Sequence, residues 1–205
     1  MSLDQFSFDE ITRDCTIVVM GPYDAAREVL QQYCKLQDPE HHLEYLIELD
    51  LRDTLRRYIQ EQRSATYADR HVSLILENLT QSQYETVKDE LYFICLNVMH
   101  DRMSLVITTE HLSLGPLFRT NVDYFVTWPK NSLSLQDLHN KWFAGMFPSL
   151  DAFKSYVEKL DPDIALVGTL YDAKWYRSVA YLPPPICYAS ECKEGEDDLH
   201  VKINS

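Results

Sequence analysis

Eight residues, Gly21-Pro22-Tyr23-Asp24-Ala25-Ala26-Arg27-Glu28, join the apolar, β-branched run Thr16-Ile17-Val18-Val19-Met20 to a stretch with helical spacing. A glycine-opened turn between a buried strand and a helix is a place where backbone N–H groups can surround phosphate. The spacing matches Gly-x-x-x-x-Gly-Lys-[Ser/Thr], whose glycines free the backbone, whose lysine neutralises charge and whose hydroxyl holds Mg²⁺. Gly21 keeps the first position, and the other three differ. Ala26 replaces the second glycine and resists a positive φ. Arg27 replaces the lysine, keeping the charge on a larger, planar fork. Glu28 puts a carboxylate where the hydroxyl would stand, and Asp24 adds a second negative charge. Like charges at ~4 Å repel by roughly 1–4 kcal/mol at effective dielectrics between water and a protein surface. The sequence therefore predicts a phosphate loop turned against phosphate, with Glu28 its most damaging change.

A second acidic position follows another buried run, Leu74-Ile75-Leu76-Glu77-Asn78. ATPases of this layout place two acidic groups there, one for the metal and one for the attacking water. Glu77 keeps the carboxylate, whereas the Asn78 amide cannot take a proton from water.

These positions need a sheet to hold them. Strand patterns fall at residues 16–20, 45–49, 71–76, 103–108 and 122–128, with a terminal hairpin at 164–170 and 175–182. Helical patterns occupy 24–35, 53–67, 81–100, 134–143 and 150–160, with Ser132 or Ser134 and Ser149 as caps for the last two. The alternation predicts an α/β fold, a P-loop NTPase-like layered sheet flanked by helices and closed by a C-terminal β-hairpin. Strands 16–20, 71–76, 103–108 and 122–128 should lie side by side and gather Gly21, Glu77 and Glu110 at one edge. One domain is expected over residues 1–182, followed by a tail over 183–205 that opens on Pro183-Pro184-Pro185 and is acidic from Glu191 to Asp198.

Composition narrows the function classes. A net charge of −13 and a pI near 4.9 argue against a surface that coats DNA. Arg52, Arg56, Arg57, Arg63 and Arg70 are concentrated in one stretch, and a solvated helix is the simpler reading of them. No apolar run reaches the ~18 residues that would cross a bilayer, and Met1-Ser2-Leu3-Asp4-Gln5 does not open a secretory signal. A reducing compartment is expected. Cys15, Cys34 and Cys95 fit there as small thiols within apolar or helical patterns. Cys187, Cys192 and His200 lack a paired C-x-x-C, so no zinc site is expected.

Three further segments carry a resemblance: Leu105-Val106-Ile107-Thr108-Thr109-Glu110-His111, Leu117-Phe118-Arg119-Thr120-Asn121-Val122-Asp123-Tyr124, and Phe143-Ala144-Gly145-Met146-Phe147-Pro148-Ser149-Leu150-Asp151-Ala152-Phe153. Over residues 70–182, and in outline over 16–35, the chain resembles the genome-packaging ATPases of large DNA viruses, the poxvirus- and iridovirus-type members of the FtsK–HerA group. The resemblance implies a ring-forming motor that drives viral DNA into a capsid. It makes position 110 a γ-phosphate sensor, usually glutamine, where this chain has Glu110. It also implies that Arg119 acts on a neighbouring subunit's nucleotide, against the alternative of an internal salt bridge to Asp123 or an acidic helix.

Loop, acidic pair and sensor thus depart together. The expectation is a catalytically degenerate relative acting as a scaffold, regulatory or virion component, with no nucleotide or metal cofactor. Its partners would be packaging or capsid proteins, or further copies in a ring through the Arg119 surface, with DNA met weakly or indirectly and no membrane span. Its location would be the virion or the infected cell's cytoplasm or nucleus. The alternative is an active DNA-packaging motor that binds ATP through Arg27 and Mg²⁺ through Glu77.

Overall fold

Thr16–Met20 forms β1 at the centre of a sheet because alternate residues are claimed by two cores. Ile17 and Val19 enter one, Val18 the other, and all three are buried. The computed structural model describes residues 3–37, 42–46, 50–64, 70–110, 113–131, 134–169 and 173–177. After β1 come α1 (Tyr23–Leu36), β2 (His42–Tyr45), α2 (Leu51–Gln62), β3 (Val72–Leu76), α3 (Gln81–Asp101), β4 (Met103–Thr109) and α4 (Pro116–Arg119). The chain continues through β5 (Tyr124–Thr127), α5 (Leu135–Leu138), α6 (Leu150–Glu158), β6 (Ile164–Thr169) and β7 (Ala173–Arg177).

The seven strands lie in the order β2-β3-β4-β1-β5-β6-β7. The first five are parallel; β6 runs antiparallel to β5, and β7 antiparallel to β6. The side-by-side placement expected for the four central strands is observed. α1 and the N-terminal segment cover one face, through Ala25, Val29, Leu30, Tyr33 and Phe6. The other helices cover the opposite face, through Leu55, Leu91, Ile94, Phe118, Phe143 and Phe153. This two-sided burial is what a parallel sheet requires.

Several boundaries differ from the sequence pattern for local reasons. α2 starts at Leu51 because the Asp50 side chain accepts the Asp53 N–H. Ser134 and Ser149 cap α5 and α6 as expected. The stretch 134–143 is divided, however, α5 passing into a π-helical turn, His139–Phe143, that seats Trp142 on the Phe125 ring at 3.8 Å. The strand expected at 45–49 lies earlier, as β2 at His42–Tyr45, with Leu46 beyond its end and residues 47–49 outside the described residues. Residues 178–182 of the hairpin and the tail at 183–205, with Cys187, Cys192 and His200, also lie outside them.

The arginines of α2 fasten it to α3. Arg56 and Arg52 reach Glu90 at 2.8 and 3.7 Å, and Arg63 reaches Asp101 at 2.9 Å. At the far edge, the N-terminal segment runs along β7: Trp175 N–H donates to the Asp4 carbonyl at 3.1 Å and Phe6 N–H to the Trp175 carbonyl at 2.8 Å. No helix among the described residues is long and apolar enough to cross a membrane.

Candidate functional site

Gly21, Glu77 and Glu110 do meet at one edge of the sheet. Gly21 N–H donates to the Thr109 carbonyl at 3.0 Å, Leu79 N–H to the Thr108 carbonyl at 2.8 Å, and Asn78 N–H to Thr108 Oγ1 at 2.8 Å. These bonds tie the ends of β1 and β3 to the end of β4, which Glu110 follows as an exposed residue. The C-terminal edge of a parallel sheet is where ligands bind in open α/β folds.

The connection from β1 to α1 is shorter than the loop the sequence predicted. Only Gly21 and Pro22 separate the two elements, and Ala26 N–H already donates to the Pro22 carbonyl at 2.9 Å. Residues 23–28 are therefore helix. Ala26 lies in that helix, 3% exposed in the core beneath α1, where a small helix-former fits and no positive φ is needed. Gly21 has its own reason to be glycine: a Cβ there would sit 2.3 Å from Trp128 Cε3. No glycine among the described residues takes a positive φ.

Glu28 corrects the charge argument. The helix turns it toward the sheet, where it is 7% exposed and accepts the Tyr176 hydroxyl at 2.6 Å. Burial and then the Glu28 contact push the Tyr176 phenol well above its ordinary value. Glu28 is thus a core acceptor for β7, and its repulsion of phosphate was misjudged. Asp24 is exposed in the first turn of α1, where a carboxylate complements the helix dipole.

Arg27 stays at the edge. Its Nε lies 3.8 Å from Glu77 Oε1, joining α1 to the end of β3, and its guanidinium lies 6.0 Å from the Tyr23 ring centroid. The nearby Glu77 carboxylate, as acceptor and as charge, raises the Tyr23 phenol. Glu77 Oε1 is buried without a hydrogen bond, so the cation is what compensates it. Asn78 is exposed at φ 55°, a left-handed turn that asparagine accommodates better than most residues. That conformation accounts for Asn78 without reference to water activation.

Arg119 is not part of this cluster. It ends α4, which packs on α3 through Phe118 against Tyr84 and Tyr92, and its Nη1 donates to the Leu114 carbonyl at 2.6 Å. No ion pair among the described residues involves it. The proposed partner, Asp123, is occupied elsewhere: its Oδ2 accepts Thr16 N–H at 2.8 Å, while its own N–H donates to the Thr16 carbonyl at 2.9 Å. This two-bond clamp sets the start of β5 against β1. The Asp of the Arg-Thr-Asn-x-Asp-Tyr segment is thus a structural residue, a role the sequence reading missed. Trp128 and Tyr176 were also missed, although Trp128 was visible as the last residue of an expected strand. Among the described residues, no group of three His, Cys, Asp or Glu side chains is placed to hold a metal ion.

No family model matches the chain, and no curated protein matches it in sequence. Solved structures do share its fold. The DNA-packaging ATPase B204 from Sulfolobus Turreted Icosahedral Virus superposes with a TM-score of 0.56 at 11% identity, covering 82% of this chain and 100% of B204. B204 from Sulfolobus turreted icosahedral virus 2, in complex with ATP-gammaS, gives a TM-score of 0.54 at 13% identity, covering 82% of this chain and 100% of that one. The cytoplasmic domain of the Thermomonospora curvata Type VII secretion ATPase EccC gives 0.55 at 12% identity, covering 86% of this chain. This chain spans 26% of that EccC chain.

The fold is thus a P-loop NTPase-like layered α/β sheet, shared with these packaging and secretion ATPases. The expectation that no cofactor belongs here is overturned by the same structures, because B204 is held with AMPPCP and with ATP-gammaS. In this conformation residues 23–28 are wound as helix.

Proposed function

We propose that this chain is a subunit of a viral genome-packaging assembly that keeps the ATPase fold while its own hydrolytic step is lost, serving as a scaffold, regulatory or virion component. The observation that carries the reading is the winding of residues 23–28 into α1, which leaves Arg27 against Glu77 at 3.8 Å. The conserved chemistry of such motors needs a cation on the phosphates and a group that orients water. Here the cation compensates the remaining carboxylate, and position 78 serves a left-handed turn. The residues quoted for the poxvirus- and iridovirus-type motors support the viral placement, in the virion or the infected cell, and make neighbouring subunits or capsid proteins the partners.

The test is phosphate release from Mg-ATP by the full chain, alone and with duplex DNA. The expected result is turnover at least about a thousandfold below the ~1–10³ s⁻¹ of ordinary enzymes. Turnover within that range, abolished by Glu77→Gln, would overturn the proposal. Affinity for nucleotide is a separate measurement, and binding without turnover is compatible with the reading.

A further inference from the structure

A groove of about 510 Å³, lined by none of Tyr23, Arg27 and Glu77, lies between the N-terminal segment, the end of α1 and β7. Phe8 and Tyr176 form one wall, their rings packed edge to face at 5.0 Å. Leu36, the last residue of α1, opens toward it with 47% of its surface exposed. Gln5 and Gln32 add amide donors, and Arg177 stands at the rim. An aromatic wall with scattered side-chain donors suits a polyproline II ligand, whose backbone has no internal hydrogen bonds and whose rings stack on aromatics at little entropic cost.

Such a segment lies close by in the sequence. Arg177 is the last described residue, and Leu182-Pro183-Pro184-Pro185-Ile186-Cys187-Tyr188 follows it. Five residues lie between Arg177 and Pro183, six chain steps with an extended reach of up to ~20 Å. A segment starting on the rim can therefore turn back into the groove. We infer that the groove is the docking site for the chain's own Pro183-Pro184-Pro185 segment, seated against Phe8, Tyr176 and Leu36. Docking there would fix the acidic stretch from Glu191 to Asp198 beside the N-terminal edge segment. This inference does not depend on whether the chain hydrolyses ATP.

Cysteine proximity in the full-length chain tests it. In a Cys34→Ser, Cys192→Ala background, Leu36→Cys places a thiol in the groove and leaves Cys187 as the tail thiol. Met99→Cys, 79% exposed on the helix layer of the opposite face, is the control. Under mild oxidation the Leu36→Cys chain should form an intrachain disulfide with Cys187 at least about tenfold faster than the control, as a high effective concentration requires. Adding Pro183→Ala, Pro184→Ala and Pro185→Ala should return the rate to that of the control. Equal rates for the two thiols would overturn the inference. A disulfide formed only between chains, with a rate that rises with concentration, would overturn docking within one chain. A rate indifferent to the three alanines would overturn the polyproline chemistry.

Discussion

Gly21 and Asp123 show how single residues at this sheet answer to packing where motif reading assigned them to chemistry or left them unread. A methyl group at position 21 would meet the buried Trp128 ring, so Gly21→Ala should cost about 1–3 kcal/mol of stability as an overpacked core. Chemical denaturation is the measurement, and pairing the change with Trp128→Leu should recover part of the loss. Asp123 yields a pH prediction. Burial raises its carboxyl above the ordinary 3.8, with the hydrogen bonds of the Thr16 clamp opposing. A carboxyl with a raised folded pKa holds its proton more tightly when folded. Its contribution is therefore fully present below pH 3.8 and declines as pH rises above that value. Asp123→Asn keeps an acceptor for Thr16 N–H and removes the buried charge. It should flatten the stability curve above pH 3.8 without loss at neutral pH, as urea titrations at stepped pH would report. An unaltered slope would place the dependence on another group.

The first turns of α1 decide what the edge can do, and they can be challenged directly. Ala26→Gly, Arg27→Lys and Glu28→Ser together rebuild the phosphate signature in letters. In this fold they place glycine inside a helix, at about 1 kcal/mol, and strip the half-buried Tyr176 hydroxyl of its acceptor, at about 1–3 kcal/mol. The expected outcome is a melting temperature lower by about 5–10 °C, with no gain in ATP turnover. A variant as stable as the parent would mean that residues 23–28 are free to leave the helix. The strands themselves were legible because near-continuous apolar runs with β-branching at 16–20, 71–76 and 103–108 report burial on two faces, which is a local property. The start of α1 was not, because Gly21 carries the same letter whether it opens a loop or makes room for Trp128, and Trp128 arrives from 107 residues away. Glu28 was misread for a related reason: its partner, Tyr176, is 148 residues distant. The segment from Ala144 to Ser149, read as a family string, also has a local meaning, since it leads out of the π-helical turn, buries Phe147 and ends on the cap of α6.

For the molecule as a whole, the surplus of acid is matched by the use made of its base. Three arginines of the basic stretch are committed to Glu90 and Asp101 on α3, which leaves them poorly placed to neutralise a nucleic-acid backbone. Arg119 differs, being half-buried with its one side-chain hydrogen bond among the described residues made to a carbonyl. Planar guanidinium donors of this kind are effective at subunit contacts. Arg119→Ala should therefore weaken association, alone or with a packaging ATPase, while shifting melting by no more than about 2–4 °C. Sedimentation beside a thermal scan separates the two effects, and lost stability with unchanged association would make Arg119 an internal residue. The strip of chain from Asp4 to Phe6 has a consequence of another kind. By filling hydrogen bonds at Trp175 it covers the middle of β7, the edge strand among the described residues, against strands from other molecules, and exposed strand edges are templates for aggregation. A proteolytic nick that released residues 1–7 should turn a soluble preparation turbid in a concentration-dependent way. The N-terminus would then be guarding the protein's solubility.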